Sequence, residues 1–281
     1  MKQYQEIIKR GLLLTAPSLG SSLLAIYPSQ AATFATSQGA LEFTNFSQIP
    51  VNIGTETDTN TVAIAKDGRV QAIAQAYALF TTTPPEAFNL SFSGASGDGK
   101  DYLGLAESKA QVIGEFSVDT NQTLSFDFLA NLEMETSIDN SPVENATARG
   151  DISFFLIDAA SDRILDFFSL SGNLITEGND DFVVFDTSDN VSLTQVSQEL
   201  DFEGTEETAG IFVEGSFQRT FTNNTKVTLV EVKSNQTRVK APEPSAILAL
   251  VLSSGIMSIA AKLKRQLATA KPEDNALSKP C

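Results

Sequence analysis

Leu124-Ser125-Phe126-Asp127-Phe128-Leu129-Ala130-Asn131-Leu132-Glu133-Met134-Glu135 sets Leu124, Phe126, Phe128, Ala130, Leu132 and Met134 on one face of an extended chain. Ser125, Asp127, Asn131, Glu133 and Glu135 fall on the other. A period of two is that of a β-strand, whose successive side chains point to opposite faces. One packed face and one wet face indicate an antiparallel sheet.

The same texture runs outward in both directions. Upstream, residues 41–44, 61–65, 70–80, 88–92 and 110–118 read as strands. The 70–80 stretch is ambiguous because Ala72, Ala74, Ala76 and Ala78 favour a helix, but its neighbours are strands and Thr81-Thr82-Thr83-Pro84-Pro85 ends it. Ser93-Gly94-Ala95-Ser96-Gly97-Asp98-Gly99 is expected as a loop, and it lacks the lysine and hydroxyl that close a phosphate-binding loop. Asp119-Thr120-Asn121-Gln122 turns the chain into the long strand.

Downstream, 136–149 is polar and contains Pro142, which predicts a surface excursion. Residues 151–157 and 163–170 make an expected hairpin over Asp158-Ala159-Ala160-Ser161-Asp162. Ile152, Phe154 and Leu156 point inward from its first strand, and Ile164, Phe168 and Leu170 share one side of its second. Strands at 182–185, 191–196, 211–221 and 226–232 complete the set. The last two are expected as a hairpin across Asn223-Asn224, since asparagine tolerates positive φ. A series of short strands with no convincing helix predicts an all-β fold, an antiparallel β-sandwich of jelly-roll or immunoglobulin-like type. The 19 phenylalanines, most at alternating positions, are the natural filling of its core.

Missing residue types bound the chemistry. The 281 residues contain no His, no Trp and a single cysteine, Cys281. Without imidazole there is no Ser-His-Asp or Cys-His nucleophile and no histidine ligand for zinc or haem, and one cysteine cannot form an internal disulfide. Charge is lopsided as well. Between residues 32 and 241 lie 31 of the 35 acids but 11 of the 19 bases, so that region carries about −20. Such a surface repels nucleic acid and anionic lipid, and no nucleic-acid partner is expected.

The two ends read as targeting segments. Lys2, Lys9 and Arg10 precede an apolar stretch at 11–26, and Ser29-Gln30-Ala31 is a small-residue cleavage site, so residues 1–31 are expected as a signal peptide cut by signal peptidase after Ala31, or failing that after Ala32. Near the other end, Ala241-Pro242-Glu243-Pro244-Ser245 leads into an uncharged run at 246–261 closed by Lys262, Lys264 and Arg265. As a helix that run would measure about 24 Å against a hydrocarbon core of roughly 30 Å, short but extendable by snorkelling lysine stems. Lys262, Lys264 and Arg265 would stay cytoplasmic, which puts the preceding chain outside. The prolines cannot extend the helix backward, so Pro242-Glu243-Pro244 is expected as an accessible extended peptide.

Pro-Glu-Pro-Ser, a hydrophobic segment and a basic cluster, in that order after an N-terminal signal peptide, resemble the PEP-CTERM sorting signal of exported bacterial proteins. The resemblance implies processing at Pro242, Glu243 and Pro244 by an exosortase, an integral-membrane transpeptidase, and delivery to the cell surface or exopolysaccharide matrix. The expected organisation is therefore a signal peptide at 1–31, an exported β-sandwich domain at 32–233 and a linker at 234–241. A sorting signal follows at 242–265, with a transmembrane helix at 246–261, then a cytoplasmic tail at 266–281.

Acidic groups cluster around the expected loops: Asp98 with Asp101, Asp158 with Asp162, Glu177 with Asp180 and Asp181, Asp186 with Asp189, and Glu203 with Glu206 and Glu207. No cofactor is expected. Calcium is the one ion these loops would suit, but none has the spacing of an EF-hand. The function expected is non-enzymatic: a structural or adhesive component of the cell surface or exopolysaccharide matrix. The alternatives are a carbohydrate-binding module contacting extracellular polysaccharide and, on the acidic pairs alone, a carboxylate-dependent glycoside hydrolase, which Tyr77 and Tyr102 would serve sparsely as sugar-stacking rings.

Overall fold

The computed structural model describes residues 33–139, 141–176 and 178–241. These residues form ten strands: β1 (Thr33–Thr44), β2 (Asn52–Thr82), β3 (Pro85–Val118), β4 (Gln122–Ser137), β5 (Asn145–Asp158), β6 (Arg163–Thr176), β7 (Phe182–Thr187), β8 (Val191–Asp201), β9 (Glu206–Phe221) and β10 (Thr225–Ala241). No helix occurs among the described residues, so none there is long and apolar enough to cross a membrane. Every pairing is antiparallel, as the alternation at Leu124 to Glu135 implies.

The strands form one continuous sheet in the order β7-β6-β5-β10-β3-β1-β4-β9-β8, with β2 alongside β3, and the sheet is nearly closed like a barrel. β3 joins the two halves of the sheet. Its residues from Ala87 to Gly97 pair with β1, whereas Tyr102 to Val118 pair with β10, and β2 accompanies both halves. The chain bends between these halves at Gly99 (φ 93°) and Asp101 (φ 53°). Gly99 lies against Gly68 of β2, where a Cβ would come within 2.9 Å of the opposing Cα, so the two strands turn the corner back to back. Beside the corner, the ring of Tyr102 covers Gly97, and its hydroxyl donates to Thr33 Oγ1 at 2.6 Å.

The bend brings the inner faces together. Phe43 of β1 meets Phe154 of β5 at 5.5 Å between centroids, and Phe128 of β4 meets Phe168 of β6 at 5.0 Å. All six apolar residues of the Leu124 to Met134 face are buried in this cluster, together with Ile152, Phe154 and Leu156. A smaller apolar cluster, including Ala35, Ala95, Tyr102, Val239 and Ala241, fills the end near the bend.

Five sequence expectations need correction. Residues 93–99, expected as loop, are strand: all of them pair with β2 and 93–97 also pair with β1, where their small side chains suit the crowded interior. The polar excursion ends before Asn145, because Ala146 and Ala148 alternate inward as the start of β5. Residues 234–241, expected as a linker, are the second half of β10, with Asn235, Thr237, Val239 and Ala241 buried, so the folded region extends to Ala241. β9 and β10 are not a hairpin, since β9 pairs with β4 and β8 while β10 pairs with β3 and β5. Asn224 instead accepts from the Thr120 backbone N–H at 2.8 Å and so ties this crossing to the turn after β3. Finally, Ile164 is 53% exposed. A register shift between Leu156 and Ile157 pairs Ile157 with Ile164 but Leu156 with Asp166, and this bulge puts Asp166 at the inward position.

Candidate functional site

β10 lies in the sheet between β5 and β3, and its inward positions change character along its length. Val227 and Leu229 join the phenylalanine cluster, Val239 and Ala241 the smaller one, and between them Glu231, Lys233, Asn235 and Thr237 are all buried. Opposite this polar stretch the neighbouring strands present small or amide side chains: Ser37 and Gly39 from β1, and Asn89, Ser91, Ser93 and Ser108 from β3. A side chain at Gly39 would come within 2.8 Å of Lys233 Cδ, so the lysine stem lies directly over that glycine.

Most of these groups are tied into one network, although Thr237 Oγ1 and Glu231 Oε1 find no hydrogen-bond donor or acceptor among the described residues. Lys233 Nζ donates to the Asn89 carbonyl at 3.1 Å and also contacts Asn89 Oδ1. Asn89 Nδ2 donates to Glu231 Oε2, while Glu231 Oε1 faces Lys233 Nζ at 3.5 Å. Next along the strand, Asn235 Nδ2 donates to Ser37 Oγ at 2.6 Å and Ser91 Oγ donates to Asn235 Oδ1. Ser37 Oγ in turn donates to the Arg149 carbonyl at 2.6 Å, and Ser93 Oγ donates to the Asn235 carbonyl at 2.9 Å.

Burial governs the ionisation of the charged pair. It pushes the Glu231 carboxyl up, opposed by the Lys233 charge and by hydrogen bonds, and it pushes the Lys233 ammonium down, opposed by Glu231. Both directions favour the uncharged forms, because removing a charge from water costs more than one partner returns. An amine, a carboxamide and a carboxyl group are thus in mutual contact in a dry interior.

Polar groups are buried elsewhere too, among them Asp166 and Glu207. Asp166 is held by Arg219 at 2.8 Å, Asn190 Nδ2 at 2.8 Å and Ser188 Oγ at 3.1 Å, which anchors the turn between β7 and β8. Glu207 accepts from Thr136 and Thr176 at 3.2 and 3.0 Å. Of the other acids singled out, Asp158 accepts from Ala160 N and Ser161 Oγ in its turn, Asp181 from Ile175 N, and Asp186 from Thr187 N. No group of three or more metal-ligating side chains converges among the described residues.

The residues singled out for processing, Ala31, Pro242, Glu243 and Pro244, and the flanking Lys262, Lys264 and Arg265, lie outside the described residues, as does Glu177. Glu231, Lys233 and Asn89 were not singled out. Their sequence signal was the carboxylate at an inward position of an alternating strand, with the same period continuing past 232. Comparison with protein-family models, with curated proteins and with solved structures finds no match for this chain.

Proposed function

We propose that the chain is an exported, non-enzymatic β-sandwich that serves as a structural or adhesive component of a cell surface or exopolysaccharide matrix, delivered by a signal peptide and a PEP-CTERM-type sorting signal. In this reading the two halves of β3 belong to different layers of the sandwich, and the Phe43–Phe154 and Phe128–Phe168 contacts are its inter-layer seam. The observation that carries the reading is the use made of polar groups. Along β10, Glu231, Lys233 and Asn235 are joined to Asn89, Ser37 and Ser91 rather than turned toward a surface, which suits a part selected for durability. The strongly acidic composition suits a soluble domain outside the cell.

Intact-mass analysis of the protein recovered from its native host tests the proposal. A species beginning near Ala32 and ending between Pro242 and Pro244, found in the surface or matrix fraction, is the expected result. A cytosolic species retaining residues 1–31 overturns export, and one that retains Cys281 in the membrane overturns sorting.

A further inference from the structure

Lys233, Asn89 and Glu231 contain the parts of an amide exchange reaction, already assembled. We propose that the Lys233 side chain attacks the Asn89 carboxamide to form an intramolecular isopeptide bond between β10 and β3, with Glu231 carrying the proton. The inference is independent of the sorting proposal, since it requires neither export nor any other protein.

The atoms balance without an oxidant or co-reactant. The neutral Lys233 amine adds to Asn89 Cγ, forming the Nζ–Cγ bond; the Cγ–Nδ2 bond then breaks and Nδ2 leaves as ammonia. One proton must move from Nζ to Nδ2. Glu231 touches both nitrogens, with Oε1 3.5 Å from Lys233 Nζ and Oε2 accepting from Asn89 Nδ2, so a single carboxyl group spans donor and leaving group. A positioned carboxyl in this place acts as general acid and base. Orientation is fixed by the fold: Lys233 Nζ also donates to the Asn89 main-chain carbonyl at 3.1 Å, and Gly39 leaves room for the lysine stem. Holding the two reactants in contact replaces a bimolecular encounter by an intramolecular step. Exclusion of water helps twice. It favours the uncharged amine and the protonated carboxyl that the reaction uses, and it keeps hydrolysis from reversing the product. All three side chains are buried.

The test is a peptide map of the full chain, digested with trypsin after denaturation and read by mass spectrometry. The expected product joins the peptide 70–100, which contains Asn89, to the peptide 227–238, in which Lys233 resists cleavage. Its mass falls about 17 Da below the sum of the two, the mass of ammonia. Recovery of the two peptides separately, with cleavage after Lys233, overturns the proposal whatever the variants do. Lys233→Met must abolish the joined species, and its persistence would overturn the assignment of the lysine. Glu231→Gln, which keeps size and burial, must slow joining by roughly a hundredfold or more. Joining at the original rate would overturn the proton-carrying role.

Discussion

Replacing Phe154 by alanine tests whether the two inner faces meet as described. Phe154 is fully buried on β5, and its ring lies within 5.1 to 5.6 Å of four others: Phe43 of β1, Phe126 and Phe128 of β4, and Phe168 of β6. Loss of transfer free energy accounts for about 2 kcal/mol, and each lost ring–ring contact adds about 0.5 kcal/mol or more. A cavity bordered by large rigid rings on both sides collapses poorly, so the total belongs toward the upper part of the range seen for Phe to Ala, about 4 kcal/mol. For a domain of this size that lowers Tm by roughly 8–16 °C. Urea denaturation followed by far-UV circular dichroism should show the midpoint falling with little change in slope, since the surface exposed on unfolding is nearly the same. Phe185→Ala, on the exposed edge strand β7, should cost about 1 kcal/mol or less. A loss below about 1.5 kcal/mol for Phe154→Ala, or equal losses for the two variants, would refute the packing of β1 and β4 over β5 and β6.

Gly97→Ala should destabilise by about 2 kcal/mol or more in the same assay, because the added methyl would lie 2.1 Å from Tyr102 Cε2; Tyr102→Phe should cost only about 1 kcal/mol, the worth of the hydroxyl bond to Thr33. Arg219→Met leaves the buried Asp166 carboxylate with neutral donors only and should cost about 1–3 kcal/mol, with increased proteolysis at the 188–190 turn as a second readout. Glu42 has its carboxyl raised to about 6 by burial and then by Glu86. The folded state therefore holds that proton more tightly than the unfolded one. The resulting penalty is absent below about pH 4.5, grows as pH rises and is complete above about pH 6, reaching up to about 2 kcal/mol. Glu42→Gln should be more stable than the parent in urea at pH 7.5 and indistinguishable from it at pH 4.

The all-β, antiparallel character was legible because the alternation in β4 is uninterrupted, and burial of one face is what a period of two means. The 70–80 stretch was resolved by its neighbours rather than its own alanines, and its pairing with β3 agrees. What failed depended on tertiary partners. Residues 93–97 look like loop because serine and glycine are weak strand formers, yet pairing on both sides overrides that preference. Asn223-Asn224 carries a hairpin signal, but a turn motif does not say which strand the chain will join. The polar layer was hidden for a related reason. Lys233, Asn235 and Thr237 look like a solvated linker when polarity is read without period. The period continuing past Val232 points them inward, and Ser37, Gly39 and Ser91 across the interior leave the room they need.

The placement of β10 determines how the domain responds to a pull. The strand that ends at Ala241 is hydrogen-bonded along most of its length to β3 on one side and β5 on the other. Tension applied at Ala241 and opposed elsewhere in the sheet is directed along the strand, across two ladders loaded in shear, so many hydrogen bonds must yield together. An edge strand pulled crosswise would unzip one bond at a time. The folded region thus ends at Ala241 in a strand secured on both sides.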